Sequence, residues 1–203
     1  MQTIIVASQK GGAGKTNLVR TLSVAATGDG MRVVVVDLDP QGSLRAWWDA
    51  RESDAPALVE APVEALGKTL KGLASDFDLA VIDTPPSAGD WLTKAFRAAD
   101  LLVIPVKPGP DDLRAVGSTI SAATAAKVPF AFVVSMAKPR SRMLEATIRA
   151  LAAHGRVAPA QLNDRAAYLD AAVDGSGVTE GSDVKARDEA AALWHYVKGL
   201  LDG

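Results

Sequence analysis

The chain has 203 residues, 48% of them hydrophobic, and a formal net charge of −2. That length suffices for one well-buried core and a single α/β domain, and the near-neutral balance gives no global sign of a nucleic-acid coat or a membrane-surface protein. The absence of cysteine excludes disulfides, thiolate metal sites and iron–sulfur clusters, and fits a reducing cytoplasm.

The first strand-like run, Thr3–Ala7, leads directly into Gln9-Lys10-Gly11-Gly12-Ala13-Gly14-Lys15-Thr16, and a helical pattern follows over 15–29. The apolar start is too short for a signal peptide, and no later run approaches the length of a membrane span. With the loop beginning at residue 10, no N-terminal DNA-reading domain is expected. Strand, glycine loop and helix form the setting in which a P-loop holds a nucleotide phosphate. Gly11, Gly12 and Gly14 let backbone N–H groups converge on phosphate oxygens without Cβ clashes. With Ala13, Lys15, Thr16 and Asn17 they form the candidate phosphate cradle. Lys15 has the reach for β- and γ-phosphates, and the Thr16 hydroxyl can ligate Mg²⁺.

Further strands are expected at Arg32–Asp37, Ala57–Glu60, Leu79–Asp83, Leu101–Val106 and Phe130–Ser135, with a weaker seventh near Val157–Leu162. Helical stretches fall at about 43–51, 63–75, 89–99, 111–127, 141–154, 164–173 and 183–201. Val33–Val36 and Leu101–Ile104 are continuous apolar runs, the mark of strands buried on both faces. The βαβα order predicts a doubly wound, mainly parallel sheet of about seven strands with helices on both faces. Ligands in such sheets sit at the carboxyl ends of the strands.

Those ends carry the candidate chemistry. The second strand ends in Asp37-Leu38-Asp39-Pro40-Gln41-Gly42-Ser43. Carboxylates there can hold Mg²⁺ through water and orient a water for attack on a γ-phosphate. An Asx turn with Ser43 as helix cap fits the same residues. The fourth reads Leu79-Ala80-Val81-Ile82-Asp83-Thr84-Pro85-Pro86, a Walker B form in which Asp83 accepts from the Thr16 hydroxyl or a metal-bound water. Two prolines fix the exit in an extended path, and Gly89 supplies a joint. The fifth strand leaves through three prolines into Asp111-Asp112 at a helix start.

The run Lys10-Gly11-Gly12-Ala13-Gly14-Lys15-Thr16 lacks the usual first P-loop glycine, where Gln9 stands, and carries a second lysine instead. It resembles the deviant Walker A motif of the ParA/MinD family of ATPases, and Asp37–Ser43 and Asp83–Pro86 look like that family's second signature and switch II entrance. The resemblance covers nearly the whole chain. Its length and the tail Tyr168–Gly175 are similar to the small ParA (ParF-like) partition ATPases. Asn17, where a second threonine is usual, and Ala13 depart from the pattern without changing a phosphate-contacting side chain. The missing cysteines set the chain apart from the related nitrogenase iron protein.

The resemblance implies an ATP- and Mg²⁺-dependent homodimer in which Lys10 reaches the partner's nucleotide. Asp39 serves hydrolysis, which is slow until a ParB-like or analogous adaptor stimulates it, and Asp37 supports the metal and lysine network. It places adenine between the sixth and seventh strand ends, where Asn163 is the candidate reader; an exposed loop asparagine fits equally well. The fifth-strand exit corresponds to the dimer face.

Between Lys127 and Arg165 stand seven basic residues and two acidic ones. Lys138, Arg140 and Arg142 fall at one helix start, with Arg149 further on. A local positive face suits phosphate-backbone contact, and an ordinary solvated face fits the same imbalance. No aromatic residue interleaves it, so base stacking is not implied. In ParA-type relatives, basic residues of the C-terminal portion bind DNA without sequence preference, which implies a nucleoid-associated state. MinD-type relatives end in a basic membrane helix. Here Ala192, Trp194, Val197, Leu200 and Leu201 lie at helical spacing with few cations, so the last helix is expected on the sheet and no membrane partner is expected. Trp47 and Trp48 are expected at a core edge or dimer rim, and His154 on a helix surface. A MinD-like positioning ATPase, an ATP-dependent enzyme of the dethiobiotin synthetase or cobyrinate amidase type, and a DNA binder with a vestigial site are the other classes.

Overall fold

The computed structural model describes residues 1–86 and 91–203, and residue 90 as backbone only; Gly89 lies outside the described residues. Strands β1 (Gln2–Val6), β2 (Val33–Asp37), β3 (Ala57–Glu60), β4 (Leu79–Asp83), β5 (Leu101–Val106), β6 (Phe130–Ala137) and β7 (Arg156–Val157) align in the order β3-β2-β4-β1-β5-β6-β7, every pairing parallel. A short β8 (Leu162–Asn163) also pairs with β6.

The helices are α1 (Lys15–Gly28), α2 (Ser43–Asp49), α3 (Leu66–Leu73), α4 (Asp90–Phe96), α5 (Pro110–Ala126), α6 (Arg142–Ala152), α7 (Ala166–Val173) and α8 (Val184–Leu201). A 3-10 turn, Val63–Ala65, precedes α3 where one longer helix is expected from the sequence. Alternate residues of each central strand feed opposite cores. Ile4 and Val6 pack with α1, α2 and α8, while Ile5, Val36 and Ile82 pack with α3 and α4. Ile104, Phe132 and Val134 pack beneath α5 and α6. Burial of β2, β4 and β5 on both faces is the reason those runs read as unbroken valine, leucine and isoleucine.

The expected seventh strand, Val157–Leu162, divides in two. Pro159 has no N–H to give a ladder, and β6 itself is irregular between Ser135 and Ala137, where Met136 adopts φ +49°. The pairing therefore breaks after Val157 and resumes at Leu162.

The last helix packs beside α1 and against β8, in the core those elements share, through Ala186, Ala190, Leu193, Trp194 and Val197. Ala192, expected on the apolar stripe, is exposed, because the buried face follows 190, 193, 194 and 197. Lys198 pairs with Asp29 of the connection after α1 at 2.5 Å. Trp47 is a core residue whose Nε1 donates to the Ser176 carbonyl at 2.9 Å, and His154 is exposed. Arg51 clamps the same tail, donating to the Gly175 carbonyl and the Glu180 carboxylate.

Candidate nucleotide site

Three neighbouring strands end at one level: Val6 stands opposite Asp83, and Asp83 opposite Asp37. The phosphate loop leaves β1 from that level and turns into α1. Gly12 and Gly14 have φ of +73° and +91°, where an L side chain is strained. Gly14 is the N-cap of α1 and provides no side-chain cap, and the first turn holds no acidic residue. The helix N-terminus thus keeps its free N–H donors and positive dipole end directed into the loop. Ser135 of β6 fixes the loop from below, its Oγ donating to the Ala13 carbonyl at 2.7 Å. Thr84 Oγ1 similarly donates to the Val6 carbonyl at 2.9 Å.

Lys15 is buried, and burial lowers its pKa against the opposing pull of Asp83 and Asp39. Asp83 is almost fully buried, which pushes its pKa up to about 7; Thr16 lowers it and Asp37 raises it again. Neither carboxylate oxygen of Asp83 has a regular hydrogen bond among the described residues, and Asp37 Oδ2 has none either. Burial also raises the Asp37 pKa, partly offset by the Asp39 N–H, which donates to Asp37 Oδ1 at 2.9 Å. Asp39 Oδ1 accepts from the Gln41 N–H at 3.0 Å, so the expected Asx turn forms at Asp39, but the cap of α2 is Gly42, with Ser43 its first helical residue and no side-chain cap bond. Buried carboxylates without partners are costly unless a cation joins them.

Among the described residues, no group of three or more His, Cys, Asp or Glu side chains is arranged to hold a metal alone. A divalent ion here would need a hydroxyl, waters and phosphate oxygens to complete its shell. Thr16 with Asp37 and Asp83 suits that arrangement.

Lys10 is held within its own chain: its Nζ donates to Asp112 Oδ2 of α5 at 2.5 Å. Gln9, beside it, accepts from Ser118 Oγ of the same helix at 2.6 Å. Asn163 lies at the end of β8 opposite Ala137 of β6, so the two strand ends do meet. Its Nδ2 donates to Glu189 Oε1 of α8 at 2.6 Å, and its backbone N–H donates to Oε2 at 3.1 Å. Arg165 and Tyr168 bond the same carboxylate. Lys138, Arg140, Arg142 and Arg149 are all exposed, in the loop after β6 and along α6. Arg149 is 3.9 Å from Glu145, a solvated contact of little weight.

Sequence reading did not find Ser135, Ser118 or Glu189 as partners of the site, nor the Lys10–Asp112 pair. The acidic start of α5 was visible; its partner lies 102 residues away.

Strand order, an uncapped helix behind a glycine loop, and two buried carboxylates with unpaired oxygens beside a buried lysine define a P-loop nucleotide-binding protein. The family model described as the CobQ/CobB/MinD/ParA nucleotide binding domain matches residues 4–178, and the chain belongs to that family. Among curated relatives, the maintenance of carboxysome distribution protein A of Halothiobacillus neapolitanus is 35% identical over 203 aligned positions, covering 94% of this chain and 91% of that protein. Protein ParA of Rhizobium radiobacter is 31% identical, covering 72% of this chain and 70% of its own length. Among solved structures, the septum site-determining protein MinD of Pyrococcus horikoshii, complexed with Mg-ADP, superposes with a TM-score of 0.82 at 18% identity, covering 98% of this chain and 96% of that one. No described helix is long and apolar enough to cross a membrane.

Proposed function

We propose that the chain is a ParA-type positioning ATPase, cycling between a monomer and an ATP-bound homodimer that binds DNA without sequence preference. The observation that carries this reading is the register placing the phosphate loop, Asp83 and Asp37 side by side, with a second lysine at the loop's start. Bound Mg²⁺·ATP supplies an electrophilic γ-phosphoryl group and a divalent charge that offsets the buried carboxylates. Lys15 and the amides of Gly11–Thr16 hold phosphate oxygens, and the Thr16 hydroxyl holds the metal, backed by Asp37 and Asp83. Asp39 orients the attacking water and accepts its proton. Lys10 serves the partner's phosphates, much as an arginine finger does.

The exposed cations of the β6–α6 region make the DNA contact, doubled in the dimer. A protein adaptor stimulates the slow hydrolysis and opens the clamp. Similarity to a protein named for carboxysome distribution and to one named ParA supports a large assembly or a replicon as cargo. Adenine lies between the ends of β6 and β8, with the Asn163 carbonyl oxygen left to accept from its amino group.

The test is fluorescence anisotropy on a random duplex with ATP, ADP or no nucleotide, at low and physiological salt. Binding with ATP alone, lost in Lys10→Ala, is the expected result. No binding under any condition would overturn the DNA reading and move attention to small carboxylic acids as co-substrates.

A further inference from the structure

A third lysine stands at the phosphate loop. Strands β1 and β5 pair in parallel with Val6 opposite Val103. Counting forward from that pair, Lys10 and Lys107 leave the sheet at the same offset on adjacent strands. A Cβ built on Gly12 would lie 4.0 Å from Lys107 Nζ, so the ammonium group faces the loop where its chain turns at positive φ. Lys107 is half-buried. Its backbone is directed by the flanking Pro105 and Pro108, since a residue before proline is confined to extended conformations. Among the described residues it has neither an ion-pair nor a hydrogen-bond partner, whereas Lys10 is committed to Asp112 and Lys15 faces Asp83 and Asp39.

We propose that Lys107 is a phosphate ligand in cis, specific for the outermost phosphate of a nucleoside triphosphate. The inner phosphates belong to the start of α1 and Lys15. Gly12 precedes those positions, on the side of the loop away from the helix end, and Lys107 covers that side. Its ammonium therefore meets a triphosphate more closely than a diphosphate. The role differs from that of Lys10, which requires a second subunit. It makes each monomer able to tell ATP from ADP before any dimer forms. The inference rests on the nucleotide reading of the loop, and the experiment separates the two.

The measurement is equilibrium fluorescence titration with N-methylanthraniloyl-ATP and -ADP in the presence of Mg²⁺. It uses a Lys10→Ala background so that dimerisation does not contribute. Lys107→Gln should lower the ratio of ATP to ADP affinity by about tenfold, the effect of one charge-assisted hydrogen bond, with ADP affinity within about threefold. Lys107→Arg, which keeps the charge, should restore most of the ratio. An unchanged ratio in Lys107→Gln, or an equal loss for both nucleotides with a normal thermal melt, overturns the assignment. Failure of the Lys10→Ala background itself to bind either nucleotide overturns the nucleotide reading and this assignment with it.

Discussion

Replacing Asp112 by Asn tests whether Lys10 must leave its own chain to act on another. Lys10 Nζ is 2.5 Å from Asp112 Oδ2, with the lysine side chain 37% exposed and the carboxylate only 9%. A partly exposed pair of this kind is worth about 1 kcal/mol. In the proposed clamp two such pairs break as two chains exchange lysines, so about 2 kcal/mol would oppose closure, or about thirtyfold in the dimer dissociation constant. Asparagine keeps the shape of Asp112 and removes the charge, and it spares the dimer from leaving a buried carboxylate unpaired. With a non-hydrolysable ATP analogue, sedimentation equilibrium should therefore show Asp112→Asn dimerising about thirtyfold more tightly. In Lys10→Ala, which the clamp leaves monomeric, adding Asp112→Asn should restore no dimer, because the gain acts through the released lysine. A dimer unchanged within threefold, or weakened, would refute the idea that the ion pair stores Lys10 in an inactive position.

Five further outcomes follow from the structure. Lys15→Ala should abolish binding of fluorescent nucleotide, whereas Asp39→Ala should keep binding and lose phosphate release, leaving a long-lived ATP dimer visible by size exclusion. Asp83 has a folded-state pKa raised to about 7 from 3.8, so its contribution to apo-protein stability is fully present below about pH 4 and is lost as pH rises through about 7. Urea midpoints across that window should fall, and Asp83→Asn should flatten the trend. Gly177→Ala places a Cβ 2.5 to 2.9 Å from the side-chain atoms of Val24, an overpacking that should cost about 1–3 kcal/mol and lower the melting temperature by several degrees; Val24→Ala in the same chain should recover part of it. Arg142→Ala should weaken DNA binding equally for all sequences and reduce the logarithmic salt slope by about 1 if that side chain meets a phosphate.

Most of the sheet was legible because its strands carry their own signal. Val33–Val36, Leu79–Ile82 and Leu101–Ile104 are unbroken apolar runs since helices cover both faces, and each is ended by a residue that breaks the run: Asp37, Asp83 and Pro105. The loop was legible for a different reason, because its glycines and lysines are consecutive. What escaped was side-chain pairing across long separations. Nothing local marks Ser135 as the tether of Ala13, 122 residues earlier, or Glu189 as the partner of Asn163. The divided strand after Arg156 escaped because its cause is a bulge in the neighbouring strand at Met136 as well as its own Pro159.

The wall formed by β5 and α5 does more for the site than its sequence suggests. Gln9 accepts from Ser118, Lys10 is held by Asp112, and Gly12 faces Lys107, so three successive parts of the loop rest on one wall. That wall is the fifth-strand exit, the segment that family resemblance assigns to the dimer face. Its helix packs on the other side against α6, which carries Arg142 and Arg149. A change of nucleotide that draws Lys10 from Asp112 would thus leave a buried charge uncompensated at the start of α5, next to the helix bearing the basic face. Adjacency alone does not establish coupling. What makes this wall a candidate for carrying it is that the proposed clamp gives Lys10 two incompatible partners, Asp112 within the chain and a phosphate beyond it. An element biased by which partner wins meets the physical requirement for a two-state switch.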